Sequence, residues 1–353
     1  MDIQAIENTI ISLSNLHGIS GFESDIANKI CELFKPCVDE VTIDALGSVI
    51  AHKKSKNPNA KKIMLDAHMD EIGLMVTKVD EKGFLKFTNV GGIDERILPA
   101  SEVIVHGKEK LLGVIGIKPP HLQTDEENKK TLKIDELAID IGLDFERASE
   151  LVEPGTSVSF AQKATSLLNG QITGKSFDDR ASVVSLLYAA QKLSDAELDV
   201  DVYFVISTFE ETNLAGAKCA AYTIMPDAAL VIDVTHAKTP DNSDCAFEAN
   251  GSLSYSLGPN VCTPLAKLIK AIAQKEGIDA REEVDGGSTG TNAWSVQISR
   301  TGVATAVLSL PLKYMHTPTE VLQIEAVKNA GEIAYEFICS LNKDFSMLEI
   351  THL

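Results

Sequence analysis

Several side chains able to bind metals or move protons stand where apolar runs stop. His68 and Asp70 follow the run IML, Glu210 and Glu211 follow VYFVIS, and Asp233 follows AALVI. His316 comes just after TAVLSLPLKYM, and Asp178 stands in SFDDR. Each has an ordinary reading when taken alone. A single histidine at a strand end can be a hydrogen-bonded structural residue, Asp178–Asp179 can cap a helix, Asp233 can be a buried acid paired with Lys or Arg, and Glu210–Glu211 can be a polar loop. Repetition at five strand ends or their loops argues otherwise. Two imidazoles and three carboxylates are the donor set for two divalent transition-metal ions. Such a pair sits roughly 3.5–4 Å apart and needs a bridging carboxylate. The glutamate left over can act as a general base toward a water molecule. Two neighbouring carboxylates that would otherwise repel each other then divide the work: one binds metal and the other faces the water.

Positioning these groups requires a sheet. After FDDR the sequence predicts a helix over 180–193, a strand over 201–209, a small-residue helix over 215–222 and a strand over 228–233. A helix over 264–275, a strand over 303–310 and a last helix from about 320 to 341 follow. Apolar strands alternating with helices point to a mostly parallel sheet covered on both faces. Ligands of such a sheet bind beyond the carboxyl ends of its strands. The first 60 residues read as helix 3–16, a second helix within 20–34 and a hairpin around Gly47. Between about 70 and 166 the texture changes to short pieces (GLMVTKV, FLKFTNV, EVIVHG, LLGVIGI) separated by Gly, Asp and Lys turns, which suggests a small β-barrel or sandwich. The polar stretch HLQTDEENKKTLKIDE reads as a mobile surface loop. The expected organisation is an α/β domain from 1–69 and 165–353, interrupted by an inserted β domain, 70–164.

The chain has 353 residues, 44% hydrophobic and 24% charged, with a formal net charge of -19 and a pI near 4.8. Nucleic-acid phosphates and anionic membranes would repel it, so neither is an expected partner. No apolar stretch approaches the roughly 20 residues of a membrane span, and MDIQAIENTIISL lacks the pattern of a signal peptide. Cys31, Cys37, Cys219, Cys245, Cys262 and Cys339 show no CxxC spacing and read as reduced core residues. The expected compartment is the cytoplasm.

The motifs LDAHMDEIGLMV, FDDR, FEETNLAGAK, LVIDVT and MHTPTEV resemble the M42 family of metalloaminopeptidases, some of which carry glutamyl aminopeptidase or endoglucanase labels. The likeness runs nearly end to end, through NVGGIDERILPASEVIVHG, GVIGIKPPH and GGSTGTNA. It implies two divalent ions, Zn, Co or Mn. His68 and Asp233 would hold one, Glu211 and His316 the other, and Asp178, rather than Asp179, would bridge them. Glu210 would be the general base, and Asp70 would hydrogen-bond the far nitrogen of His68 and orient it. The resemblance also implies that the β insertion pairs subunits into dimers and that dimers build a larger closed particle, such as a dodecamer. The chain departs from the family pattern at Ala181 and Ser182, where a Gly is usual soon after the DDR motif. It departs again at Asn292 (GTNA for GTDA), Thr317 (HTP for HSP), FEET for QEEV, and Cys219 in GAKCA. None removes a proposed ligand or the base, and Asn292 is the one expected to alter how substrate is held.

The leading expectation is therefore hydrolysis of the N-terminal residue of short peptides. A metal-dependent deacylase or amidase acting on another amide is the nearest alternative. A glycosidase could use the paired acids but would leave His68 and His316 idle, and 5% aromatic content with one tryptophan, Trp294, supplies a sugar cleft poorly. A non-catalytic assembly protein would be expected to have lost the base or a ligand.

Overall fold

The long apolar runs become the middle of one large sheet, in a computed structural model that describes residues 1–124, 132–240 and 246–341. Helices α1 (Ile3–Ser14) and α2 (Ser24–Phe34) precede the hairpin β1 (Glu40–Ile43) and β2 (Val49–Lys53), and then comes β3 (Lys62–His68). The chain leaves the sheet for β4 (Gly73–Val79), β5 (Leu85–Val90), β6 (Glu102–His106), β7 (Lys110–Ile115), β8 (Ile139–Asp140), α3 (Phe145–Leu151) and β9 (Ser157–Phe160). It returns through β10 (Thr165–Ser166), β11 (Gln171–Gly174), α4 (Phe177–Leu193), β12 (Asp201–Ser207), α5 (Glu210–Asn213), α6 (Ala215–Ile224) and β13 (Ala228–His236). The remaining elements are β14 (Leu253–Leu257), α7 (Thr263–Glu276), β15 (Ala280–Val284), α8 (Ala293–Gln297), β16 (Ala304–Lys313), β17 (Glu320–Gln323) and α9 (Ile324–Ser340).

Among the described residues the sheet runs β1-β2-β12-β3-β13-β16-β17-β11-β10, with β14 and β15 attached beside β16. Its centre, β12, β3, β13 and β16, is parallel, and β2 and β17 flank it antiparallel. Side chains explain why these strands are apolar at every position. Ile63, Leu65, Phe204, Leu230 and Leu308 join α1, α2, α4, α7 and α9 in the main core. The alternate residues Met64, Val205 and Ala229 pack with α6 and Val296 on the opposite face. A strand buried on both faces has no polar side to show.

The second structure is a closed barrel of order β4-β5-β8-β7-β6-β9, filled by its own core of Leu74, Val76, Phe87, Val103, Val105, Ile139 and Val158 among others. Two differences from the sequence reading stand out. Glu320–Gln323 is a strand before the last helix, because it pairs with both β16 and β11. The short helix α3 inside the barrel segment, and the strands β14 and β15, have no counterpart in the periodicity. Part of HLQTDEENKKTLKIDE, and Cys245, lie outside the described residues. Of the other cysteines, only Cys37 is buried, and Cys219 and Cys339 are exposed, so the expectation of core residues fails for these two. No helix among the described residues is long and apolar enough to cross a membrane.

Candidate metal centre

The parallel register puts the donor side chains at one level. Asp66 of β3 lies beside Val205 of β12 and Val231 of β13, and His68 lies beside Ser207. Two residues farther along β13 from Val231 comes Asp233, beside Ser309 of β16. Glu210 and Glu211 emerge from β12 three and four residues past Ser207, on the first turn of α5. Asp178 stands at the irregular start of α4, where the backbone of Asp178 and Asp179 is non-helical and their peptide bond is cis. His316 sits in the turn after β16, in the left-handed region at φ 59°.

These side chains converge in two groups that share one member. Donor atoms of His68, Asp178 and Asp233 lie within 4.8 Å of one another, and so do those of Asp178, Glu211 and His316. His68 Nε2 is 3.2 Å from Asp178 Oδ1. His316 Nε2 is 3.3 Å from the other oxygen, Oδ2, and 3.4 Å from Glu211 Oε2. Asp178 thus turns one oxygen toward each imidazole. Glu210 belongs to neither group, but its Oε2 is 3.8 Å from His68 Nε2. Asp179, the alternative bridge, is fully buried, and its Oδ2 accepts the backbone N–H of His68 at 3.2 Å.

The protein groups alone leave this cluster short of positive charge. Burial pushes Glu210 up to about 8, with Asp233 and Asp178 adding to the rise against the pull of His68. Burial raises Asp233 to about 7 and holds Glu211 and Asp179 well above the carboxylate range, Asp178 and Asp233 respectively adding repulsion. Asp178 is the exception: burial opposes its charge, but hydrogen bonds with His316 and His68 keep it below the usual range. Burial also opposes the charge on His68, yet Asp178 and Asp70 hold its ring well above 6.5. Five acids and two imidazoles in a largely buried cluster, beside a cleft lined by no Lys or Arg among the described residues, fit divalent cations, whose charge would settle the acids in their ionised forms. Oxygen and imidazole donors suit Zn, Co or Mn.

A supporting layer fixes the donors. Asp70 has a larger part than the expected one. The carbonyl oxygen of Asp70 accepts from His68 Nδ1 at 3.1 Å, while its carboxylate lies 3.5 Å from the same nitrogen. That carboxylate also accepts the backbone N–H groups of Glu210 at 3.1 Å and Glu211 at 3.2 Å and the hydroxyl of Ser20, so it holds the two-glutamate turn against β3. Glu320, quoted above only as part of MHTPTEV, is 2% exposed and ties the two remaining loops together. One of its oxygens accepts the N–H of Phe177 at 2.7 Å and of Asp178 at 3.3 Å, and the other accepts that of His316 at 3.2 Å. The barrel segment contributes Gly91 and Gly92. A Cβ on Gly92 would come within 3.1 Å of His316 Nδ1, and one on Gly91 within 2.9 Å of Ile72 and 3.4 Å of Glu211. Only glycine lets this loop lie so close.

The departures lie mostly away from the donors. Ala181 and Ser182 are fully buried in α4. Thr317 uses its hydroxyl as serine could, donating to the Tyr314 carbonyl at 2.7 Å. Asn292 does not line the cleft, so any effect it has on how substrate is held would be indirect. It is 1% exposed and donates to Asp66 Oδ2 at 2.8 Å and Ser207 Oγ at 2.9 Å, inside the sheet layer below the donors. Beside the donors lies a cleft of about 600 Å³, lined by Asp178, Glu210, Glu211, Asp233 and His316, and by Glu283 and Asp285 from β15 and the turn after it.

The profile of the M42 glutamyl aminopeptidases matches residues 47–333 of the chain. A lysyl aminopeptidase of Pyrococcus furiosus is 36% identical over 323 residues, covering 90% of this chain and 92% of that protein. Among solved structures, an aminopeptidase of the archaeon Desulfurococcus kamchatkensis superposes with a TM-score of 0.90 at 33% identity, covering 99% of this chain and 98% of its own. The TET1 peptidase of Pyrococcus horikoshii, described as able to assemble into a tetrahedron or a large octahedral shell, gives 0.84 at 32% identity, covering 95% and 100%.

Proposed function

The chain belongs to the M42 glutamyl aminopeptidase family, and we propose that it removes the N-terminal residue of short peptides with two divalent metal ions and Glu210 as general base. The observation that carries this reading is the pair of three-residue donor groups sharing Asp178, with Glu210 beside them and outside both. His68 and Asp233 would hold one ion, Glu211 and His316 the other, and Asp178 would serve both. When bound, two such ions supply Lewis acidity, polarising the scissile carbonyl and lowering the pKa of water toward about 7. Glu210 would take the proton of the attacking water and pass it to the leaving amine. Its position is fixed from behind, since Asp70 grips its backbone N–H. Hydrogen bonds with His316 and His68 favour the charge on Asp178, whereas Glu211 and Asp233, raised by burial, would keep theirs once the cations are bound. Glu320 keeps the Asp178 and His316 loops in register with each other.

We also propose that subunits pair through the barrel and that the pairs form a larger homo-oligomer. Leu112 at 61% and Val114 at 43% exposure stand outward on β7, an apolar outer face suited to a second copy. The similar TET1 peptidase, which assembles, supports this reading.

The test is an assay of metal-reconstituted protein on aminoacyl-chromogenic substrates, with free and with blocked amines, with and without chelator. Chelator-sensitive release from free-amine substrates alone is the expected result. Release from blocked amides instead would replace the aminopeptidase by a deacylase. In parallel, Glu210→Gln should lose at least about a hundredfold in turnover while two ions per chain remain bound. His68→Ala and Asp178→Ala should lower the metal content itself.

A further inference from the structure

Resting on the aminopeptidase reading, we infer that the cleft selects peptides whose N-terminal side chain is cationic, lysyl or arginyl, and rejects acidic ones, with Glu283 and Asp285 as the specificity-determining residues. The family description names glutamyl substrates, yet a glutamate side chain needs a cation to hold it. Among the described residues lining the cleft there is no Lys or Arg. What remains, once the donors and Glu210 are set aside, is two further carboxylates.

Their placement argues for contact with a side chain. Glu283 Oε1 accepts the hydroxyl of Thr235 at 2.6 Å and Oε2 that of Ser254 at 2.6 Å, which fixes the orientation of the carboxylate. Thr235 follows Asp233 by two residues on β13, so it lies on the same side of the strand and roughly 6–7 Å farther along. A substrate whose scissile carbonyl lies at the donor cluster would have Glu283 about one extended lysine stem away. Asp285 is pinned through its backbone, its N–H donating to the Leu257 carbonyl at 2.9 Å, while its carboxylate has no hydrogen-bond partner among the described residues. A lysine or arginine head group would meet both carboxylates; a glutamate side chain would meet only like charge.

The experiment compares kcat/KM of the holoenzyme on lysyl, arginyl, leucyl and glutamyl anilides at low salt. Lysyl and arginyl substrates should exceed leucyl by about tenfold, the worth of one charge-assisted hydrogen bond, and glutamyl by more. Raising the salt should narrow the gap. Glu283→Gln and Asp285→Asn should each shrink the lysyl-to-glutamyl ratio by about tenfold. Asp285→Asn carries the test by itself should loss of the Thr235 and Ser254 contacts keep the Glu283 variant from folding. A glutamyl preference overturns the inference and leaves the aminopeptidase standing. So does an unchanged ratio with all substrates slowed alike, because the carboxylates would then be holding the α-amine. No cleavage of any free-amine substrate overturns both.

Discussion

Asn292 carries the clearest lesson at the scale of the residue. Its amide donates to Asp66, a fully buried acid that burial raises to about 7 and that Asn292 and Ser207 pull back. Where the family pattern has an acid, this chain has the neutral donor that Asp66 requires. Asn292→Asp should therefore set two carboxylates against each other and cost roughly 2–4 kcal/mol of stability near pH 7. The loss should be smaller near pH 5, where one of the two takes up a proton. Urea unfolding at the two values measures it, and an unchanged midpoint at pH 7 would refute the account. The side chains that converge at the cleft were readable in the sequence because polar groups abruptly ending apolar runs are a local signal. Glu320 was not, because it acts on backbone N–H groups of Phe177 and Asp178, 143 and 142 positions away, and nothing near it in sequence announces that. The place of Asn292 was not legible for the same reason: its partners Asp66 and Ser207 lie 226 and 85 positions off.

Among the elements, the join between barrel and sheet has its own chemistry. His17, after α1, stacks on His106 at the end of β6, with centroids 3.6 Å apart and planes 18° from parallel. Ser157 and Ser159 of β9 bond their Nε2 atoms at 3.1 and 2.8 Å. Burial lowers His17 to about 3, His106 adding to the fall, and lowers His106 to about 4, Lys110 adding to it. Unfolded, both rings titrate near 6.5 (about the reference value). Between about pH 6.5 and 4 the unfolded chain then binds protons that the folded one refuses, so stability is full above that window and falls as pH drops through it. The double variant His17→Gln, His106→Gln should show a flatter denaturation midpoint from about pH 7 to 4.5, measured in excess chelator so that metal release does not contribute. An equal slope would remove the pair from the account. The central strands and both layers of helices were legible because burial on two faces leaves an unbroken apolar run. Strand β15 was not: its AREEV is mostly exposed and held by pairing with β14, so it carries no periodicity. The segment that begins at Glu320 read as helix because its four strand residues, EVLQ, run straight into α9.

For the whole molecule, the barrel face makes the proposed assembly testable. Leu112→Glu together with Val114→Glu should leave the fold intact and reduce the particle to smaller species in light scattering, because charges on an apolar interface oppose pairing. An unchanged mass would move the contact elsewhere. The sheet order has a further consequence, for how the chain is made. Strand β3 carries His68 but pairs with β12 and β13, which leave the ribosome more than 100 residues later, after the barrel between them. His316 arrives later still, more than 100 residues after β12. A growing chain can thus close its barrel early, yet it holds no complete set of the proposed donors until His316 has been made. On the proposed assignment, the order of the strands alone would withhold the ability to cut peptides from any chain that stops short of His316.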